Sequence, residues 1–210
     1  RIYKMEKMLK ISDFTVFRDE HSLNKAKQIV PINKYKLAED MAYLYFSKLD
    51  INKLNYRKTT NNYVLITWRN LKKYMELNKE FDLMDKVVNC ILDLKRNGIF
   101  DEVRLAALDK RHDVESCEIL KSKLNSIGIS AIIDRDSSIK NITSLIKNSK
   151  FHFSGRLHGS VASEILGVPT LSMSYSPKMN YFYESIGKKN YIDVYNENIK
   201  LSSNNLFSVD

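Results

Sequence analysis

From Tyr63 onward the chain alternates short apolar runs with longer amphipathic ones, and this alternation limits the fold more than any other feature. Tyr63-Val-Leu-Ile-Thr-Trp68 is rich in β-branched and aromatic residues and predicts a strand. From about Glu76 to Asn97, Phe81, Met84, Val88, Ile91, Leu92 and Lys95 recur at helical spacing, and Gly98 stops the run. A second strand is predicted over Val103–Leu108. Asp113 then caps a helix that carries Val114, Cys117, Leu120 and Leu124 and ends near Gly128. Ile129–Ile133 reads as a third strand, followed by a short helix through Ile142, Leu145 and Ile146, and Phe151–Phe153 as a fourth. Leu157, Val161, Ala162, Ile165 and Leu166 share one helical face over Leu157–Leu166. Gly167-Val168-Pro169 ends that helix, and Thr170–Ser174 is a fifth strand. Strands and helices alternating at this spacing build βαβ units, hence a parallel sheet covered by helices on both faces.

The first 55 residues follow a different pattern. Ile11–Phe17 contains a short strand, Asp19 or Ser22 caps a helix after it, and Asn33–Asn62 is polar, aromatic and reads as a connection. A boundary near Arg57 makes residues 1–55 the tail of a preceding α/β domain and residues 56–210 a Rossmann-like domain. The chain opens on Arg1 rather than Met, which suggests an excerpt of a longer protein.

Charge narrows the partners. The net charge of +9 favours anionic ones. The basic residues are dispersed, with no RNP-type aromatic signature and no zinc-finger spacing, so nucleic acid is not the expected partner. Two isolated cysteines, Cys90 and Cys117, suit a reducing compartment better than a disulfide framework. No apolar stretch is long enough to span a bilayer, no secretory signal is present, and no cluster has metal-ligand spacing.

In an open parallel sheet, ligands bind beyond the carboxyl ends of the strands. The residues there are Arg18-Asp19, Trp68-Arg69, Asp109 to His112, Ser154 to His158, and Ser174 to Lys178; each of these five loops carries a Lys or Arg. Cations converging on one edge predict a ligand with phosphate or carboxylate. The loop Ser154-Gly155-Arg156-Leu157-His158-Gly159 carries the most information. Ser154 and Gly155 allow a tight turn, Gly159 permits close backbone approach, and the helix start offers free N–H groups, continued by Ser160. Arg156 can grip an oxyanion through two parallel hydrogen bonds, and His158 is of the residue type best suited to general acid–base chemistry. His21 and His152 read as structural, His112 as a loop residue and Glu164 as a helix-face charge.

The stretch Phe153-Ser-Gly-Arg-Leu-His-Gly-Ser-Val-Ala-Ser-Glu-Ile-Leu-Gly-Val-Pro-Thr-Leu-Ser-Met-Ser-Tyr-Ser-Pro-Lys178 resembles the signature of the polysaccharide pyruvyl transferase family. Val16-Phe-Arg-Asp-Glu-His-Ser22 is similar to that family's Arg-Asp-x-x-Ser element. Leu37-Ala-Glu-Asp-Met-Ala42 is similar to its Asp-containing interdomain loop, with Glu39 in place of the usual Pro, and Trp68-Arg69 falls where the family places an Arg. The resemblance implies the second domain of a two-domain, GT-B-like fold. It also implies transfer of the pyruvyl group of phosphoenolpyruvate, without a cofactor, to a sugar of a cell-surface polysaccharide or its lipid-linked precursor. His158 and Arg156 would be catalytic, and Leu157, Gly155, Gly159, Ser160, Lys178, Arg69 and Arg18 would bind substrate. The expected location is cytoplasmic, with peripheral contact at the inner membrane face. The same helix start also suits the pyrophosphate of a nucleotide sugar, with Glu164 toward a ribose. A chain holding only part of the fold also fits a non-catalytic interaction module.

Overall fold

Tyr63–Thr67 is buried at every position, so both faces of its sheet are covered. The computed structural model describes residues 2–31, 34–49, 62–196, 198, 199 and 201. In chain order its elements are α1 (Ile2–Ile11), β1 (Thr15–Phe17), α2 (Glu20–Ile29), β2 (Tyr35–Leu37), α3 (Met41–Ser47), β3 (Tyr63–Thr67), α4 (Leu77–Arg96), β4 (Glu102–Ala106), α5 (Val114–Ser126), β5 (Ala131–Asp134), α6 (Ile139–Asn148), β6 (Phe151–Ser154), α7 (Leu157–Leu166), β7 (Thr170–Ser174), α8 (Pro177–Ser185) and β8 (Tyr191–Asp193). The predicted boundary near Arg57 lies outside the described residues.

The large sheet runs β5-β4-β3-β6-β7-β8 with every neighbouring pair parallel. The chain starts at the centre with β3, winds outward to β5, then returns to β6 on the other side of β3 and winds outward again. That reversal makes a doubly wound, Rossmann-like sheet whose crevice opens between β3 and β6. One core packs α4, α5 and α8 side chains, among them Met84, Ile91, Leu120 and Tyr183, against Val64, Ile66, Leu105 and Phe153. A second joins Phe46 of α3 to Leu65, Ile142, Ile146, Ala162 and Leu166. The buried face of α4 centres on Leu83, Met84, Val87, Val88, Ile91 and Leu94. Lys95, placed on that face by spacing alone, instead donates to the carbonyls of Phe100 and Asp101. Gly167 closes α7 in the left-handed region, with φ of 67°.

Residues before the sheet are more ordered than the sequence reading allowed. The stretch read as a connection carries β2, which pairs in parallel with β1, and α3, which packs on the sheet domain. Asp19 caps α2 by accepting from the Ser22 backbone N–H at 2.7 Å, as expected. Leu9, Ala26 and Val30 form a small core of their own with Phe17 and Tyr35. Among the described residues no helix is long and apolar enough to cross a membrane.

Candidate active site

The loop after β6 begins with a residue that must lack a side chain. Gly155 donates its N–H to the Thr67 carbonyl at 2.8 Å, and a Cβ there would lie 2.6 Å from Arg69 N and 2.7 Å from Thr67 O. Gly155 therefore fastens β6 to the end of β3 and is spent on packing rather than on substrate. Arg156 follows at the N-cap of α7 in extended conformation, and no side chain caps that helix. Its first-turn N–H groups and the positive end of its dipole remain available to an anion.

The Arg156 guanidinium is already gripped by protein. Nε donates to Asp113 Oδ2 at 2.6 Å and Nη2 to Oδ1 at 2.8 Å, with Asp109 Oδ2 at 3.6 Å. Burial works against the arginine's charge, but the hydrogen bond and charge of Asp113, with the charge of Asp109, together more than offset it. Asp113 also accepts from the backbone N–H groups of Asn70 and Asp109. It stands at the N-cap of α5 but makes no side-chain cap bond, because its carboxylate is turned to Arg156. The predicted free oxyanion fork is thus corrected. Asp113 fixes the Nε–Nη2 edge, and among the described residues no protein partner meets Nη1.

Arg69 is likewise enclosed. Its guanidinium lies over Tyr74 and Tyr175, at 5.0 Å and 4.2 Å from the ring centroids, and donates to both hydroxyls at 2.8 Å and 2.9 Å. Its buried Nε has no hydrogen-bond partner among the described residues. This arginine braces the loops after β3 and β7, and both of its terminal amino groups are engaged by tyrosine.

Two cavities flank α7. The first, about 320 Å³, is lined by Leu157, Lys178, Arg18 and Asp40 among others. Leu157 is the first residue of α7 and Lys178 the second of α8, whose N-cap Ser176 also makes no side-chain cap bond. Two uncapped helix starts and a lysine therefore face one space. The second, about 540 Å³, is largely apolar, with Phe46, Ile142 and Ala162, and it meets Arg156, His158, Gly159 and Asp40 at one end. Asp40 borders both cavities. It accepts from Arg18 Nη1 at 2.9 Å and from the Ala42 N–H at 3.0 Å, and His158 lies within its electrostatic reach. Burial alone would raise the Asp40 pKa, but those bonds and charges leave it below the usual carboxylate value.

His158 is exposed on the first turn of α7, while its neighbours Leu157, Gly159 and Ser160 are buried. Ser160, predicted to touch substrate, is turned inward. Its hydroxyl bonds Ser172 at 2.6 Å and Ser154 at 3.1 Å, and Ser172 continues to Tyr183 at 2.6 Å. Gly159 is required by β6, since a Cβ would lie 2.7 Å from Ser154 Oγ. His152 is buried between Thr67 Oγ1 at 2.8 Å and Ser163 Oγ at 2.6 Å, a scaffold role as read, whereas His21 is exposed and stacks on Tyr181. His112 bonds Asp109 within its own loop.

The structure thus divides the predicted set. Leu157, Lys178 and Arg18 share one cavity, His158, Arg156 and Gly159 the other, and Gly155, Ser160 and Arg69 serve the scaffold. Asp113 and Asp40 are the residues the sequence reading undervalued. Their signal was position: Asp40 lies just beyond β2 and Asp113 at the start of α5, each where a cation needs orienting.

The family described as Polysaccharide pyruvyl transferase matches residues 2–177. No curated protein matches the sequence. Among solved structures the chain is similar to the UDP-GlcNAc 2-epimerase of Methanocaldococcus jannaschii in complex with UDP-GlcNAc and UDP. The TM-score is 0.58 at 11% identity, over 94% of this chain and 53% of that one. It is also similar to Anabaena HepE in complex with UDP and glucose, with a TM-score of 0.48 at 11% identity over 86% and 50% of the two chains. The chain spans about half the length of these structures. The likeness to the epimerase is one of fold, a parallel α/β sheet of GT-B-like type.

Proposed function

The chain belongs to the polysaccharide pyruvyl transferase family, and from that premise we propose that it transfers the pyruvyl group of phosphoenolpyruvate to a sugar. The supporting observation is the cavity where Lys178 meets the uncapped starts of α7 and α8. Each helix start carries roughly half a positive charge, and the donor brings a phosphate and a carboxylate. Lys178 and the helix starts hold the phosphate, and Arg18 holds the carboxylate. Arg156, set by Asp113, offers Nη1 to the departing phosphate.

In the reaction a proton goes to the donor's methylene carbon, and a sugar hydroxyl bonds to its neighbouring carbon. The carbon–oxygen bond to phosphate breaks, and a second hydroxyl closes the ketal. His158 supplies the first proton or removes a hydroxyl proton, and Asp40 stabilises the protonated imidazole. Fixed cations lower the barrier because negative charge gathers on phosphate as it leaves. The apolar cavity beside His158 is the basis for including a lipid-linked precursor among the acceptors. Cytoplasmic location, with peripheral contact of this basic chain at the inner membrane face, belongs to the same proposal.

Replacing His158 by Ala is expected to lower turnover by about 10²–10⁴-fold while leaving donor affinity largely intact. Phosphate release from phosphoenolpyruvate in the presence of candidate glycans measures the first, and titration calorimetry the second. Near-normal turnover in the variant would remove His158 from the mechanism. A nucleotide-sugar donor is the competing reading, since the epimerase of similar fold was solved with UDP-GlcNAc and UDP. Titration with UDP-sugars in place of phosphoenolpyruvate separates the two.

A further inference from the structure

A second cleft adjoins the Lys178 cavity. This cleft, of about 520 Å³, lies between α2 and α8 and shares Arg18, Asp19, Leu37 and Ser185 with that cavity. Beyond that shared wall the polar groups change. The cleft presents Glu20 and Asn24 from α2 and Glu184 from α8, and no lysine lines it. His21 of α2 and Tyr181 of α8 stack across it, with centroids 4.3 Å apart and planes 18° from parallel. His21, Glu20 and Glu184 are exposed and Tyr181 is half-buried. Neither the Glu20 nor the Glu184 carboxylate is met by a protein donor among the described residues.

We propose that this cleft is the acceptor subsite, binding one pyranose ring of the saccharide. This rests on the reading of the chain as a pyruvyl transferase. An ionised carboxylate only accepts hydrogen bonds, and a sugar hydroxyl can always donate one. Asp19, Glu20 and Glu184 therefore match a hydroxyl-rich neutral ring. The His21–Tyr181 pair adds the flat apolar surface that the C–H face of a pyranose can cover. Arg18, on the shared wall, stands between donor and acceptor, where a hydroxyl must approach the reacting carbon.

The test uses ligand-observed NMR and calorimetry with methyl hexopyranosides of several stereochemistries, and with phosphoenolpyruvate in separate titrations. At least one pyranoside is expected to bind the unmodified protein. Tyr181→Ala should weaken it about tenfold or more and leave phosphoenolpyruvate within about twofold. Glu184→Gln, at an exposed position, should weaken the pyranoside without lowering the melting temperature. Lys178→Ala should do the reverse, weakening phosphoenolpyruvate and sparing the pyranoside. Three results would each overturn the assignment: no pyranoside bound, pyranoside affinity unmoved by both Tyr181→Ala and Glu184→Gln, or competition between phosphoenolpyruvate and the pyranoside for one site. Pyranoside binding that responds to the variants while phosphoenolpyruvate fails to bind supports the cleft and counts against the donor proposed above.

Discussion

Gly155→Ala is a small change with a large expected effect. Ordinary van der Waals contact begins at 3.4 Å, and the added methyl would lie at 2.6 Å and 2.7 Å from two backbone atoms, Arg69 N and Thr67 O. Those atoms are backbone, at the end of a central strand and in the loop just past it, and cannot rotate away as a side chain could. Relief requires β6 to withdraw from β3 by most of an ångström, which stretches the 2.8 Å bond from Gly155 N to Thr67 O. Overpacking of this kind costs about 1–3 kcal/mol, and a weakened backbone hydrogen bond about 1 kcal/mol. The total is about 2–4 kcal/mol. For a chain of this size that lowers the melting temperature by roughly 4–16 °C. The same shift moves Arg156 relative to Asp113, so donor affinity should fall with stability. Gly98→Ala is the control. Its φ of 68° makes it costly, but nothing lies within 4 Å, so it should lower stability alone. Calorimetric melting of both variants, with donor titrations alongside, reads the difference. A Gly155→Ala protein melting within about 2 °C of the parent would show that β6 and β3 are not pinned there.

Asp113→Ala should cost about 3–5 kcal/mol, because it strands a guanidinium whose side chain is 20% exposed and two backbone N–H groups; chemical denaturation measures it. His152 is held neutral by burial, its pKa pushed down to about 3 from 6.5. The unfolded chain therefore gains the proton first as pH falls below 6.5. Stability should drop by about 2 kcal/mol between pH 7 and pH 5 from this group, and His152→Asn should flatten that slope. Asp40 has a lowered pKa, so its contribution is complete above 3.8 and disappears as pH falls through its folded value. Arg18→Ala should move that acid limb upward in a pH series of melting curves. Burial raises the Cys90 and Cys117 thiols to about 12, so neither should react with a thiol reagent until the protein unfolds.

What the sequence made legible was whatever local pattern decides. The bounds of α7 and β7 match the reading because a repeating apolar face and a Gly-Val-Pro stop fix them within the chain itself. β2 was not legible: three residues acquire strand geometry only by pairing with β1, and nothing local in Tyr35–Leu37 announces that partner. The site shows the same division. His158 was singled out from its place at a helix start, and it is exposed there. The capture of Arg69 by Tyr175, and of Arg156 by Asp113, joins loops distant in sequence, so the spacing of these residues carries no trace of it. Ser160 misled for a related reason. Its place one turn into α7 is the same whether the hydroxyl faces ligand or, as here, Ser172.

The order of strands in the large sheet has a consequence for how the protein is made. Val64 of β3 pairs on one side with Val103 and on the other with Phe151. As the chain leaves the ribosome, β3 to β5 can associate while one edge of β3 still waits for β6. That edge belongs to an uninterrupted buried run, Val64-Leu-Ile66, of the kind that recruits foreign strands. Pairings this distant in sequence also close slowly. The nascent half-sheet therefore leaves that edge unpaired until β6 arrives, and a pause in translation between β5 and β6 would lengthen its exposure.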